Sequence, residues 1–192
     1  FVFPCKNTGR VCLFTSGGQL HTLKAADVPF GKFRDKGLPI DNVSNFDSTK
    51  ERIVYLCDSE QLRIAKLLFA TGQGLIKKVD GAEFQVTKRT IAATKLSEGD
   101  EGAAVLVITD NQQVVLQSKE GYFLKFPAVE VPEKKKSAVG VRGIKLKKKD
   151  SLIQAYLLEE GLEYPVSYGD KKILLGRLKT AKRDGTGTKP RI

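Results

Sequence analysis

Three stretches decide the architecture: Val11-Cys-Leu-Phe-Thr-Ser-Gly-Gly-Gln-Leu20, Leu67-Leu-Phe-Ala-Thr-Gly-Gln-Gly-Leu-Ile76 and Val114-Val-Leu-Gln-Ser-Lys-Glu-Gly-Tyr-Phe123. Each is an apolar run, a polar turn ending in glycine, and a second, alternating run. That pattern predicts a β-hairpin closed by a glycine-containing turn. The turn glycines, Gly18, Gly74 and Gly121, supply the positive φ such turns need at little steric cost. They are spaced by 56 and 47 residues, so the hairpin recurs as the core of a repeat.

A second element follows each hairpin at a similar distance: Gly37-Leu-Pro-Ile-Asp-Asn-Val43, Thr90-Ile-Ala-Ala-Thr-Lys-Leu96 and Gly140-Val-Arg-Gly-Ile-Lys-Leu146. Their last residues are 53 and 50 apart. After each comes a polar turn and another apolar strand: Arg52 to Cys57, Ala103 to Thr109 and Ser151 to Leu158. A fourth, weaker copy has its hairpin at Tyr164 to Leu175 and its second element at Gly185 to Ile192, with no final strand. Helical patterning is confined to one turn near Leu62 to Lys66. A period near 50 residues with about four strands per unit predicts an all-β, propeller-like array. The spans expected for its blades are 6–57, 58–109, 110–160 and 161–192, within one domain covering 1–192. The absence of Trp disfavours WD40 blades.

The 192 residues carry 33 Lys and Arg against 22 Asp and Glu, a net charge of +11 and a pI near 9.6. Such an excess suits a polyanionic partner, and nucleic acid is the usual one. With 41% hydrophobic residues, the chain has enough apolar surface to fold. No transmembrane span or signal peptide is read, and the chain opens on Phe1 with no Met, as a piece of a longer protein would. Cys5, Cys12 and Cys57 are odd in number and lack CxxC spacing, which argues against a disulfide framework or a zinc site and fits a reducing cytoplasm. Cys12 and Cys57 read as small core residues. His21, the only histidine, reads as a strand residue rather than a catalytic one.

The repeated hairpins, the Lys77-Lys78 pair after the second turn, and above all Gly140-Val-Arg-Gly-Ile-Lys-Leu146 resemble the C-terminal repeats of bacterial type IIA topoisomerase A subunits, those of gyrase and topoisomerase IV. The resemblance covers nearly the whole chain. It implies a β-pinwheel of about four four-stranded blades in which neighbours exchange strands. A strand from elsewhere, with Phe1 to Cys5 as a candidate, would then complete the fourth copy. It also implies duplex DNA held around the outer edge. The partners would be the rest of the A subunit, together with an ATPase B subunit in a heterotetramer, in the bacterial cytoplasm at the nucleoid, with no membrane. Gyrase subunits carry a Gln-Arg-Arg-Gly-Gly-Lys-Gly heptapeptide in the loop between hairpin and second element of the first blade. The corresponding loops here are Phe30 to Lys36, Gln85 to Arg89, Pro132 to Ser137 and Lys179 to Asp184; none is that heptapeptide. This favours a topoisomerase IV-type subunit, unless a first blade lies upstream of Phe1.

All four loops are basic. Lys32, Arg34, Lys36, Lys88, Arg89, Lys134, Lys135, Lys136, Arg142, Lys182 and Arg183 recur near one place in the repeat, and the same place in each unit of an array falls on one edge. With Lys77 and Lys78 they are the expected DNA-contacting residues. A phosphate track of this kind is indifferent to base sequence. For Lys147 to Lys149, a solvated turn and a DNA contact both stand as readings. Residues 58–105 hold seven bases and seven acids, so the second blade is expected to hold DNA least.

The resemblance places the DNA-cleaving tyrosine, and the ATP and Mg the full enzyme uses, outside this region. Tyr55, Tyr122, Tyr156, Tyr164 and Tyr168 lie in or beside predicted strands and match no catalytic motif. Glu98-Gly-Asp-Glu101 reads as a solvated turn rather than a metal site, and no phosphate-binding loop is present. No catalysis and no cofactor are expected of this chain. Two other readings compete: a propeller-like protein-binding module whose basic loops aid solubility, and an RNA-binding β domain. The second would favour exposed aromatics for stacking, whereas aromatics are 8% and mostly at apolar strand positions.

Overall fold

The computed structural model describes residues 1–190, with Lys171 described by its backbone alone; Arg191 and Ile192, at the end of the expected fourth second element, lie outside the described residues. Three hairpins form where the turns predict them: β1 (Arg10–Thr15) with β2 (Gln19–Lys24), β4 (Lys66–Thr71) with β5 (Leu75–Asp80), and β8 (Gln113–Ser118) with β9 (Phe123–Pro127). Each turn is built alike. The glycine amide donates to the carbonyl three residues back: Gly18 to Thr15 at 3.0 Å, Gly74 to Thr71 at 2.9 Å and Gly121 to Ser118 at 3.0 Å. The hydroxyl of that Thr or Ser accepts the amide one residue past the glycine, at 3.2–3.3 Å. The glycines have φ of +73°, +80° and +83°. A Thr/Ser-x-x-Gly signature is therefore the local cause of these three hairpins.

A third strand pairs with the outer side of each hairpin: β3 (Ile53–Asp58) on β1, β7 (Gly102–Ile108) on β4 and β11 (Leu152–Leu158) on β8. The inner side is completed by the following unit. Strand β6 (Thr90–Ala92) pairs with β2 and β10 (Val141–Arg142) with β5. Phe123 and Thr188 exchange two hydrogen bonds of 2.9 Å at the equivalent place. The orders are thus β3-β1-β2-β6, β10-β5-β4-β7 and β11-β8-β9. The expected spans 6–57, 58–109 and 110–160 each cover a hairpin and its third strand, and each sheet also takes residues from the next span. The glycines of Gly140-Val-Arg-Gly-Ile-Lys-Leu146 acquire a reason here. A Cβ on Gly140 would lie 2.8 Å from the Ile76 carbonyl oxygen, and one on Gly143 2.8 Å from Ile76 Cγ2. Only glycine lets the exchanged strand lie this close to β5.

Successive residues of one strand enter different cores. In β4, Leu67 and Phe69 join Cys12, Phe14, Leu20 and Phe84, while Leu68 and Ala70 join Val114, Leu116, Leu124 and Phe126. In β8, Val114 and Leu116 face that second core, and Val115 faces Phe123, Leu158, Ile173 and Leu175. Period-2 side chains with both faces buried place the second and third sheets each between two others, while the outer face of the first packs on its own Ile40, Val43 and Phe46. That explains why the strands read as continuous apolar runs. Cys12 and Cys57 are free thiols in the first of these cores, as expected.

The fourth hairpin, β12 (Pro165–Tyr168) with β13 (Lys171–Leu174), is a two-stranded sheet. Phe1 to Cys5 does not complete it. Those residues are in no strand, and Phe1 lies edge-on to Tyr55 of the first sheet at 6.2 Å between centroids. Among the described residues the one α-helical turn is Ser59–Leu62, capped by the Asp58 carboxylate, slightly earlier than expected. No helix among the described residues is long and apolar enough to cross a membrane.

Candidate nucleic-acid interface

The second, third and fourth basic loops are each tied down at one repeat position, the residue four past the turn glycine of the preceding hairpin. The Thr22 amide donates to the Arg89 carbonyl at 2.8 Å, and the Thr22 hydroxyl to the Lys88 carbonyl at 3.0 Å. The Lys78 amide donates to the Pro132 carbonyl at 2.9 Å, and its carbonyl accepts the Lys134 amide at 2.8 Å. The Lys125 carbonyl accepts the Ala181 amide at 2.8 Å. The second, third and fourth loops therefore leave the array from equivalent places.

Within this frame the expected residues divide by exposure. Lys32, Arg34, Lys36, Lys88, Arg89, Lys135 and Lys182 are exposed and Lys134 is half-buried. Among these, Lys135 alone approaches a carboxylate in the described residues, Glu83 Oε1 at 3.6 Å. The Lys136 ammonium is turned to the Glu83 carbonyl at 3.0 Å. Arg142 is paired through two nitrogens with Asp184, and the Arg183 guanidinium donates to the Arg142 carbonyl at 2.7 Å. That pairing lowers the Asp184 pKa and raises that of Arg142. Arg142 thus presents a partly neutralised charge.

Lys77 and Lys78 require correction as DNA contacts. Lys78 is 6% exposed and its ammonium pairs with Asp110 at 2.5 Å. Lys77 is 1% exposed and donates to the carbonyls of Lys135, Lys136 and Ala138. Burial pushes its pKa down to about 8, with Glu83 opposing the shift and Lys134 adding to it. Both lie on β5, a strand with sheets on either side, so the fold turns them inward.

Sequence reasoning also passed over some residues. Arg10 and Lys24, at the open end of the first hairpin, line one small cleft with Arg89; their pairing across β1 and β2 was the signal available. Lys189 was likewise not singled out; its ammonium lies 5.0 Å from the Tyr122 ring centre, beside that of Lys147 at 4.4 Å, whose two readings were a solvated turn and a DNA contact and which also reaches the Tyr122 hydroxyl. Phe30 and Phe33 are fully exposed on the first loop, Phe33 between Lys32 and Arg34.

The remaining polar clusters are structural. His21 is buried, with Nε2 2.7 Å from Glu51 and Nδ1 3.0 Å from the Thr90 hydroxyl on β6. Asp100 accepts the amides of Gln73 and Glu101. Burial raises the pKa of Tyr55 and Tyr156, and the Tyr156 hydroxyl donates to Gln117 at 2.7 Å. No group of three His, Cys, Asp or Glu among the described residues could hold a metal ion.

A family profile described as the DNA gyrase C-terminal domain, β-propeller, matches residues 65–109 and 112–159, the second and third units. The chain belongs to this family. It is accordingly a C-terminal β-propeller domain of the kind found in type IIA topoisomerase A subunits. The DNA gyrase A subunit of Lawsonia intracellularis is 32% identical over 80% of this chain, and that of Chlamydia pneumoniae 30% over 98%. The matches cover 19% and 23% of those proteins, so the chain spans about a fifth of the length of these curated relatives. In structure it is similar to the C-terminal domain of DNA topoisomerase IV, with a TM-score of 0.83 and 22% identity over 95% of this chain and 58% of the other. The ParC C-terminal domain of E. coli superposes with a TM-score of 0.74 and 20% identity, over 97% of this chain and 78% of that one. The four antiparallel sheets with exchanged strands are the β-pinwheel fold of these domains.

Proposed function

We propose that this gyrase-family domain binds duplex DNA along the edge from which the basic loops emerge, and bends it toward the rest of its parent enzyme. There an A subunit would work with an ATPase B subunit in a heterotetramer at the bacterial nucleoid. The observation that carries the reading is the recurrence of cationic loops, three of them docked at one repeat position with Lys88, Arg89, Lys134, Lys135 and Lys182 turned outward or half-buried, beside the exposed Lys32, Arg34 and Lys36 of the first loop. Lysine and arginine that contact phosphates bind any sequence and release counterions. Following the curved edge costs the DNA a few kcal/mol, offset by contacts to further blades. The domain itself needs no cofactor for this; ATP and Mg belong to the parent enzyme.

Titration of duplexes of increasing length at several salt concentrations tests the reading. Affinity is expected to rise with length until the edge is covered, and log K to fall linearly with log salt. Binding without salt dependence would instead support the protein-binding module. Between the two parent enzymes, the four loops, none of which carries the Gln-Arg-Arg-Gly-Gly-Lys-Gly heptapeptide, support a topoisomerase IV-type subunit; the curated relatives from Lawsonia and Chlamydia are gyrase subunits. The full-length subunit with its ATPase partner is then expected to decatenate without introducing negative supercoils, and supercoiling of relaxed plasmid would assign it to gyrase.

A further inference from the structure

Lys77 has three N–H donors and three acceptors, all from the following unit: the carbonyls of Lys135 at 3.1 Å, Lys136 at 2.9 Å and Ala138 at 2.6 Å. No donor is left for a phosphate. Packing alone does not require a cation here, because the residue three past the turn glycine is Leu124 in the next hairpin and His21 in the first. Both are buried. An ammonium in this place bears a desolvation cost that a leucine would avoid. What the ammonium adds is directional: it converges three carbonyls of the turn closed by the Ala138 amide on the Lys135 carbonyl at 3.0 Å. With those carbonyls drawn inward, the Lys135 side chain is left 81% exposed on the outer surface. The segment also brings Lys134 near Lys77, and Lys77, Lys135 and Lys136 share one carboxylate, Glu83, which accepts the Lys136 amide at 3.0 Å. Such a segment would spread by self-repulsion unless its backbone were held.

We infer that Lys77 is a positioning residue for the DNA-facing loop, fixing through three carbonyls the backbone from which Lys134 and Lys135 project. The inference rests on the DNA-binding reading. A buried charge retained for geometry rather than net stability is a known use of such groups. The same logic extends to the next junction, where the Lys125 ammonium donates to the Gly176 carbonyl at 2.8 Å.

The test uses Lys77→Leu, the residue type of the equivalent position in the third hairpin, together with Lys77→Gln, Lys134→Ala/Lys135→Ala and the combination of Lys77→Leu with that pair. Amide hydrogen exchange without DNA is expected to quicken at residues 134–138 in Lys77→Leu while β4 and β7 stay protected. The slope of log K against log salt is expected to fall by up to about 1.8, the value for two lost phosphate contacts. Lys77→Gln, with two donors, should retain part of that slope, and it serves as the reading should Lys77→Leu not fold. In the protein already lacking Lys134 and Lys135, Lys77→Leu should change the slope no further, because the loop side chains through which it acts are gone. Unchanged exchange at 134–138, or a loss of slope that simply adds to that of the loop lysines, overturns the inference. Absence of salt-dependent binding in the wild-type chain would overturn the DNA reading instead, and the exchange measurement would still report whether Lys77 holds the loop.

Discussion

Alanine at Gly74, set against alanine at Gly99, isolates what strand exchange contributes. Both glycines have positive φ, +80° and +69°, so either substitution places a side chain in the left-handed region at about 1 kcal/mol. Both also restrict the unfolded chain equally. They differ in what the new Cβ meets. At Gly99 there is nothing within 4 Å. At Gly74 it would lie 3.0 Å from the Ile144 carbonyl oxygen, 3.1 Å from Ile144 Cγ2 and 3.2 Å from Leu146 Cδ1. The segment cannot simply withdraw, because the Gly74 carbonyl accepts the Gly143 amide at 2.8 Å. Overpacking of this kind costs about 1–3 kcal/mol. Gly74→Ala is therefore expected to lose about 2–4 kcal/mol and Gly99→Ala about 1 kcal/mol. Urea unfolding followed by circular dichroism measures both, read as midpoint shifts at constant m. Equal losses at the two sites would refute the argument that the third unit's exchanged segment closes on the second unit's turn.

Of the three loop lysines, Lys134 and Lys135 are the ones free to reach a phosphate, so Lys134→Ala/Lys135→Ala should flatten the salt dependence by about 1.8 and Lys136→Ala by well under 0.9; binding titrations at four or more salt concentrations separate the two. The lowered pKa of Lys77 means the folded chain binds fewer protons there than the unfolded chain between pH 8 and the ordinary 10.5, so this group makes the fold more stable as pH rises through that window. The gain is at most about 3 kcal/mol, less what the three carbonyls return to the charged form; the rise in urea midpoint with pH should be shallower in Lys77→Met, and an identical pH profile would contradict the assignment. Cys12 and Cys57 are buried and Cys5 half-buried, so a thiol reagent should modify one cysteine in the native chain and three after denaturation; rapid native reaction of all three would contradict the core packing.

The hairpins, their turns, the repeat and the basic character of the loops were all legible in the sequence, because each is a local demand. A turn needs positive φ at Gly18, Gly74 or Gly121 and a hydroxyl three residues before it, and both are written within four residues. The apolar runs flanking the turns signalled strands, and the recurrence of units near every 50 residues signalled a propeller-like array. The sites divided along the same line. Lys32, Arg34, Lys88, Arg89, Lys135 and Lys182 lie in loops, where a cation is solvated unless something covers it, and they are exposed. Lys77 and Lys78 occupy strand positions, where neighbouring sheets decide the environment. The acceptors that hold Lys77 lie 58 to 61 residues further along the chain, and the Asp110 carboxylate that pairs with Lys78 is 32 residues away. Tertiary structure also decided that the second elements at Thr90–Ala92 and Val141–Arg142 complete the hairpin before them rather than their own, that the first, at Ile40–Asn42, forms a 3-10 turn, and that Phe1 lies against Tyr55 rather than the fourth hairpin. Local chemistry determined which strands form, since turn geometry and period-2 burial act over a few residues. Pairing between units and the fate of buried lysines depended on the packing of whole sheets, which brings together groups that no short window of sequence contains.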